Sequence, residues 1–259
     1  FDELVFSAHP LGRNILGTEA SVKNIKKEDF LKFVKTHLDF ERIVFSCVGN
    51  ISEKKIHRLI KKYFDHLIPR NSLRNRLFFS DYQPKQEEQR REISQVHYLM
   101  GLPAYNLHAP ERIPFYLLTN ILGGPGMNSR LNLNLREKHG FVYGVEAQFS
   151  SYIDTGLFSI GFATDPVNFK RSKSLINQEL NKLKQIRMGA RQLHVAKEQL
   201  KGQLAMSEEN NNALMLMMAK SLLDLNKIPS LDHIFKKIDE VSPEIIQDIA
   251  QKTLQLDQM

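Results

Sequence analysis

The chain has 259 residues, 42% of them hydrophobic and 25% charged, the composition of an ordinary globular protein with length enough for a sizeable core. No apolar run approaches the roughly 20 residues of a bilayer span, and the single cysteine, Cys47, excludes an internal disulfide and a cysteine zinc site. The formal charge of +7 raises the question of an acidic partner. Lys54, Lys55, Arg58, Lys61 and Lys62 recur on the polar side of one amphipathic helix, and Arg70, Arg74 and Arg76 follow in a linker, without the interleaved aromatics that single-strand binders use. A solvated face is expected there, with no nucleic-acid partner.

The chain opens Phe1-Asp2-Glu3-Leu4-Val5, without an initiator Met or a signal-like segment, and reads as a piece of a longer protein. A loop at His9-Pro10-Leu11-Gly12 is followed by a predicted helix from about Asp29 to Leu38 and a strand from Arg42 to Val48 that would bury Cys47. Ser52 is the expected N-cap of a second helix. Its Ile56, Leu59, Ile60, Tyr63, Phe64 and Leu67 recur with helical spacing, one face for packing on a sheet. A single strand cannot bury two such faces, so the partners of this stretch must come from elsewhere.

From Pro69 to Arg91 the periodicity weakens and the composition turns polar, as in an interdomain connection. A strand then opens with Val96, Tyr98, Met100 and Leu102 alternating. A helix from about Pro110 to Leu122 ends at Gly123-Gly124, whose role is a tight turn and close backbone packing. A short helix through Lys138, stopped by Gly140, leads to two antiparallel strands, 141–151 and 156–164. Asp165-Pro166 starts a helix that Gly189 ends. Further helices run over about 190–208, 212–225, 231–238 and 243–254, with Met206, Met215, Met217 and Met218 expected to fill core gaps. Grouped strands followed by blocks of helices indicate an α+β fold.

No His-x-x-x-His, His-Glu-x-x-His or His-x-x-Glu-His spacing occurs among the nine histidines, and His108 lies before a helix start with no second His following. A nucleophile elbow and a phosphate loop are also missing. The distinctive segment is Leu135-Arg136-Glu137-Lys138-His139-Gly140-Phe141-Val142-Tyr143-Gly144. Arg136 near a helix end and Tyr143 near a strand start are both hydrogen-bond donors at neutral pH. A turn at Gly140 can bring them to one sheet edge, where they would suit a peptide carbonyl or the oxyanion it becomes. On the residues alone, Arg136 pairing with a local carboxylate and Tyr143 packed in a strand is the favoured reading.

These motifs resemble the pitrilysin/insulinase-like metallopeptidases, which include the mitochondrial processing peptidase. Phe6 to Gly17 looks like the segment after the zinc-binding half of the family's first domain, and Phe45 to Ile51 like a strand and turn near that domain's end. Gly123-Gly124 through Ser129-Arg130-Leu131, Arg136-Glu137 to Gly140-Phe141 and Tyr143, then Gly156 and Phe158, is similar to the family's substrate-holding signature. The resemblance implies an α/β sandwich with an antiparallel-rich sheet and helices on one face, in one partial and one complete copy. Residues 1–68 would end a first, zinc-bearing domain, 69–91 would link, and 92–259 would form the companion domain.

It further implies that Arg136 and Tyr143 bind substrate, supported by the loop at Gly123 and Gly124, and that the parent is a zinc endopeptidase acting on peptides or proteins. The zinc ligands would lie in a missing N-terminal half, so this chain would bind no metal and cleave nothing alone. Such a parent could pair as a homo- or hetero-dimer. A non-catalytic partner or scaffold subunit of the same family is the second reading.

Overall fold

The computed structural model describes residues 1–37, 43–65 and 77–259. The expected helix end at Leu38, the strand start at Arg42, Leu67 and the linker arginines Arg70, Arg74 and Arg76 lie outside the described residues. Alternation of apolar and small residues produces three strands, β1 (Val96–Ala104), β2 (Val142–Ser151) and β3 (Gly156–Thr164). They form an antiparallel sheet in the order β1-β3-β2. The period of two sends Met100, Leu102, Val145, Ala147, Phe158, Ile160 and Phe162 to one face, and all seven are buried.

Helices cover that face. Phe115 of α5 (Arg112–Gly123) is fully buried, its ring edge-on to Phe149 at 4.8 Å and Phe158 at 5.4 Å. Ile176, Leu180 and Leu183 of α6 (Phe169–Gln185) and Ile246, Ile249 and Ala250 of α10 (Pro243–Thr253) complete the layer. Each Leu, Ile or Phe so buried contributes about 1.5–3 kcal/mol. The start of α10 is set by Pro243 at its first turn and by Ser242, whose Oγ accepts from the Ile245 N–H at 3.3 Å. α7 (Ala190–Glu208) is tied to α9 (Leu231–Asp239) by Lys201, which pairs with Asp239 at 3.0 Å.

The chain divides into two compact units. The first comprises Phe1–Arg13, Phe78–Gly202 and Asp232–Met259 and contains the sheet. Its opening segment includes the short α1 (Asp2–Val5), and the buried Phe6 ring packs edge-on against Phe79 at 5.0 Å. Among the described residues, every buried apolar side chain belongs to this unit.

The second unit comprises Asn14–Leu77 and Gln203–Leu231 and is helical where regular: α2 (Glu19–Asn24), α3 (Lys27–His37), α4 (Glu53–Phe64) and α8 (Asn211–Leu225). Thr18 and Ser21 form a reciprocal capping box at the start of α2. None of these four helices buries a residue.

Several expectations are corrected here. Residues 43–48 form no strand, because extended chain becomes a ladder only beside a partner, and Cys47 is exposed instead of buried. Met206 is exposed and Met215, Met217 and Met218 are half-buried, so they do not fill a closed core. Asp165-Pro166 opens a 3₁₀ turn (Pro166–Asn168) and not α6 itself, which ends at Gln185 before Gly189 is reached.

Candidate functional site

Gly123 and Gly124 set the distance between α5 and the sheet. A Cβ at Gly123 would lie 2.6 Å from the Ala147 backbone nitrogen, so only glycine lets the helix end abut β2. A Cβ at Gly124 would lie 2.7 Å from the Asn120 carbonyl oxygen, which already accepts the Gly124 N–H at 3.0 Å. The loop beyond is clamped to α7 by a reciprocal amide pair. Asn128 Nδ2 donates to Gln199 Oε1 at 2.8 Å, and Gln199 Nε2 donates to Asn128 Oδ1 at 3.0 Å.

The chain next winds into a π-helix over Asn132–Lys138, a widened form that recurs at functional sites. Leu131 and Leu135 anchor it in the core, and the buried Asn132 amide donates to Ser129 Oγ at 2.8 Å. The buried carboxylate of Glu179 on α6 accepts from Asn134 at 3.1 Å, pairs with Lys182 at 2.7 Å and faces Arg130 at 3.9 Å. Burial lowers the Arg130 pKa, and the Glu179 charge acts against that shift. The helix is therefore held on one side by apolar burial and on the other by an ionic cluster.

Gly140 ends it in a left-handed conformation, φ 62°, with its N–H donating to the Arg136 carbonyl at 2.9 Å. The hydroxyl of buried Thr164 donates to the Phe141 carbonyl at 2.6 Å and fixes where β2 begins. Arg136 and Tyr143 flank this turn. The Arg136 side chain is half exposed, its Nε 3.7 Å from Glu137 Oε1, a loose pair that leaves the rest of the guanidinium to solvent.

Tyr143 sits where β2 carries one extra residue. Val142 pairs with Thr164 and Val145 with Phe162, so Tyr143 and Gly144 together oppose a single residue of β3. Such a β-bulge re-aims a side chain, and Tyr143 is 88% exposed. The alternative of a Tyr143 packed in its strand does not hold, whereas a local carboxylate beside Arg136 is present. Tyr143 stands on β2, an edge strand of the sheet, and Arg136 on the π-helix that precedes it. The π-helix, the bulge and the Glu179 cluster carried no signal in the sequence beyond Gly144, a residue common at bulges.

Among the described residues no three His, Cys, Asp or Glu side chains converge as a metal would require. No helix of the described residues is long and apolar enough to cross a membrane.

A family model described as the peptidase M16 inactive domain matches residues 24–200. A zinc protease of Bacillus subtilis, YmxG, is 28% identical over 247 residues, covering 95% of this chain and 60% of that protein. The probable mitochondrial-processing peptidase subunit beta of Schizosaccharomyces pombe is 23% identical over 275 residues, covering 98% of this chain and 59% of that protein. The crystal structure of a peptidase M16 inactive domain from Pseudomonas fluorescens superposes with a TM-score of 0.85 at 19% identity, over 99% of this chain and 61% of that one. A chain of Complex III2 from Candida albicans superposes at 0.81 and 19% identity, over 97% and 62%. The chain thus spans about 60% of the length of these relatives.

Proposed function

Because the chain belongs to the peptidase M16 inactive-domain family, we propose that it is the substrate-holding portion of a zinc endopeptidase whose metal site lies outside this chain. The observation that carries this reading is Tyr143, 88% exposed on a β-bulge beside the half-exposed Arg136, at the end of a helix pinned from two sides. An aromatic ring that exposed contributes little to the core, and its phenol is free to donate.

Both groups would donate to the carbonyl oxygen of a bound peptide, and more strongly to the oxyanion that replaces it, since charge-assisted hydrogen bonds are the stronger ones. Gly123 and Gly124 support the site indirectly by seating α5 against β2. Zinc, where present in the parent, would polarise the same carbonyl.

Cleavage of a peptide by the full-length protein, with and without a chelator, tests the assignment. Chelator-sensitive cleavage should fall in Arg136→Ala and Tyr143→Phe by about 10²-fold for each lost donor, mainly in kcat, with folding and zinc content unchanged. A zinc-loaded enzyme indifferent to both changes would sink the residue roles. The second reading, a non-catalytic partner subunit, is favoured by the likeness to a chain of Complex III2 and by a relative named as a subunit. A full-length protein that binds no zinc and cleaves nothing would establish that reading instead.

A further inference from the structure

α6 buries one stripe of side chains, Ser172, Ile176, Glu179, Leu180 and Leu183, and a carboxylate takes a place in it that an apolar residue could fill. Glu179 is only 6% exposed. A buried ion network is a poor source of stability, because the cost of desolvating the charges offsets most of their attraction. The best-attested use of such a network in a protein interior is to select one arrangement among several of similar energy.

The arrangements at issue are rotational settings of the π-helix, Asn132–Lys138. Leu131 and Leu135 anchor its inner side. Apolar burial is non-directional, however, and two leucines four residues apart share a face in an α-helix as well. A hydrogen bond is stricter in both distance and angle.

Asn134 Nδ2 donates to Glu179 Oε1 at 3.1 Å, the same oxygen that Lys182 Nζ approaches at 2.7 Å, while Arg130 Nη1 stands 3.9 Å from Oε2. Lys182 belongs to α6 and steadies the carboxylate from its own helix. Arg130 and Asn134 belong to the segment being held, just before the π-helix and within it. Arg136 follows Asn134 by two residues, and its loose pair with Glu137, at 3.7 Å, does not aim it.

We propose that Glu179 is a positioning residue for the site: through Asn134 it sets the rotation of the π-helix about its axis, and with it the direction in which Arg136 is presented. The consequence for cleavage rests on the substrate-holding reading above, whereas the placement of Arg136 does not.

The test replaces the network whole in the full-length protein, Glu179→Met with Arg130→Met and Asn134→Leu, so that no charge or amide is left stranded. Apolar replacement of this kind leaves stability equal or greater. Thermal unfolding should therefore not fall, while kcat on a quenched fluorescent peptide drops by about tenfold or more with KM little changed. In an Arg136→Ala background the same three changes should cost nothing further, because the network acts through Arg136. Asn134→Ala, at a half-buried position, should show the same pattern at smaller size and carries the test if the triple variant fails to fold. A crystal structure of the Asn134→Ala variant should show the Arg136 guanidinium displaced by about 1 Å or more.

An unmoved Arg136 in that structure overturns the proposal. So does a wild-type kcat in variants of the network when Arg136→Ala itself is impaired, or a loss that persists undiminished in the Arg136→Ala background. If Arg136→Ala leaves cleavage unchanged, or the full-length protein cleaves nothing, the substrate-holding reading fails, and a displaced Arg136 still upholds the positioning role.

Discussion

Gly123 and Gly140 are both glycine for reasons that differ, and substitution separates them. Gly123 is constrained by a neighbour, since its Cβ would collide with the Ala147 backbone, which cannot swing aside. Gly123→Ala should therefore cost about 1–3 kcal/mol through overpacking, read by denaturant unfolding. Gly140 has open space around its missing Cβ but a φ of 62°, so Gly140→Ala should cost about 1–2 kcal/mol through backbone strain alone. Gly140→Asn should recover most of that loss, because asparagine tolerates the left-handed region. The stopping role of Gly140 and the candidate pair Arg136 and Tyr143 were legible in the sequence, since the turn residue and the two donors stand in one short segment. The exposure of Tyr143 was not, because it depends on a bulge whose extra residue is defined only by the pairing with β3.

The π-helix is the element on which the site depends most, and its weakest point is ionic. Glu179 is buried and accepts from Asn134 and Lys182 while facing Arg130, so removing it strands a partly buried guanidinium. Glu179→Ala should destabilise by about 3 kcal/mol, and hydrogen exchange should show the loss concentrated in residues 130–138. Uniform destabilisation, with the π-helix no more labile than α5, would contradict that assignment. β3 was readable to the residue from the alternation of Phe158, Ile160 and Phe162 between turn residues at both ends. Residues 44–48 have equally strand-like composition and form none, because β-propensity acts through cross-strand neighbours and these residues have none in a ladder.

The two units differ in how they are stabilised. The first holds all the described buried apolar side chains, whereas α2, α3, α4 and α8 of the second bury none and leave residues such as Phe33 61% exposed. The sequence anticipated this shortage, since the apolar face of α4 had too little sheet nearby to cover it. With few buried contacts, the second unit should exchange its amide hydrogens far faster than α5 and β3 in this chain. Equal protection in the two units would refute that expectation. In the full-length protein, protection of α4 should rise if further chain covers its apolar face.

A structure of the full-length protein with an uncleavable peptide bound would decide what the exposed edge is for. The account predicts Tyr143 Oη and the Arg136 guanidinium at about 3 Å from one backbone carbonyl oxygen of the peptide. A peptide bound elsewhere, with both side chains still turned to water, would contradict it.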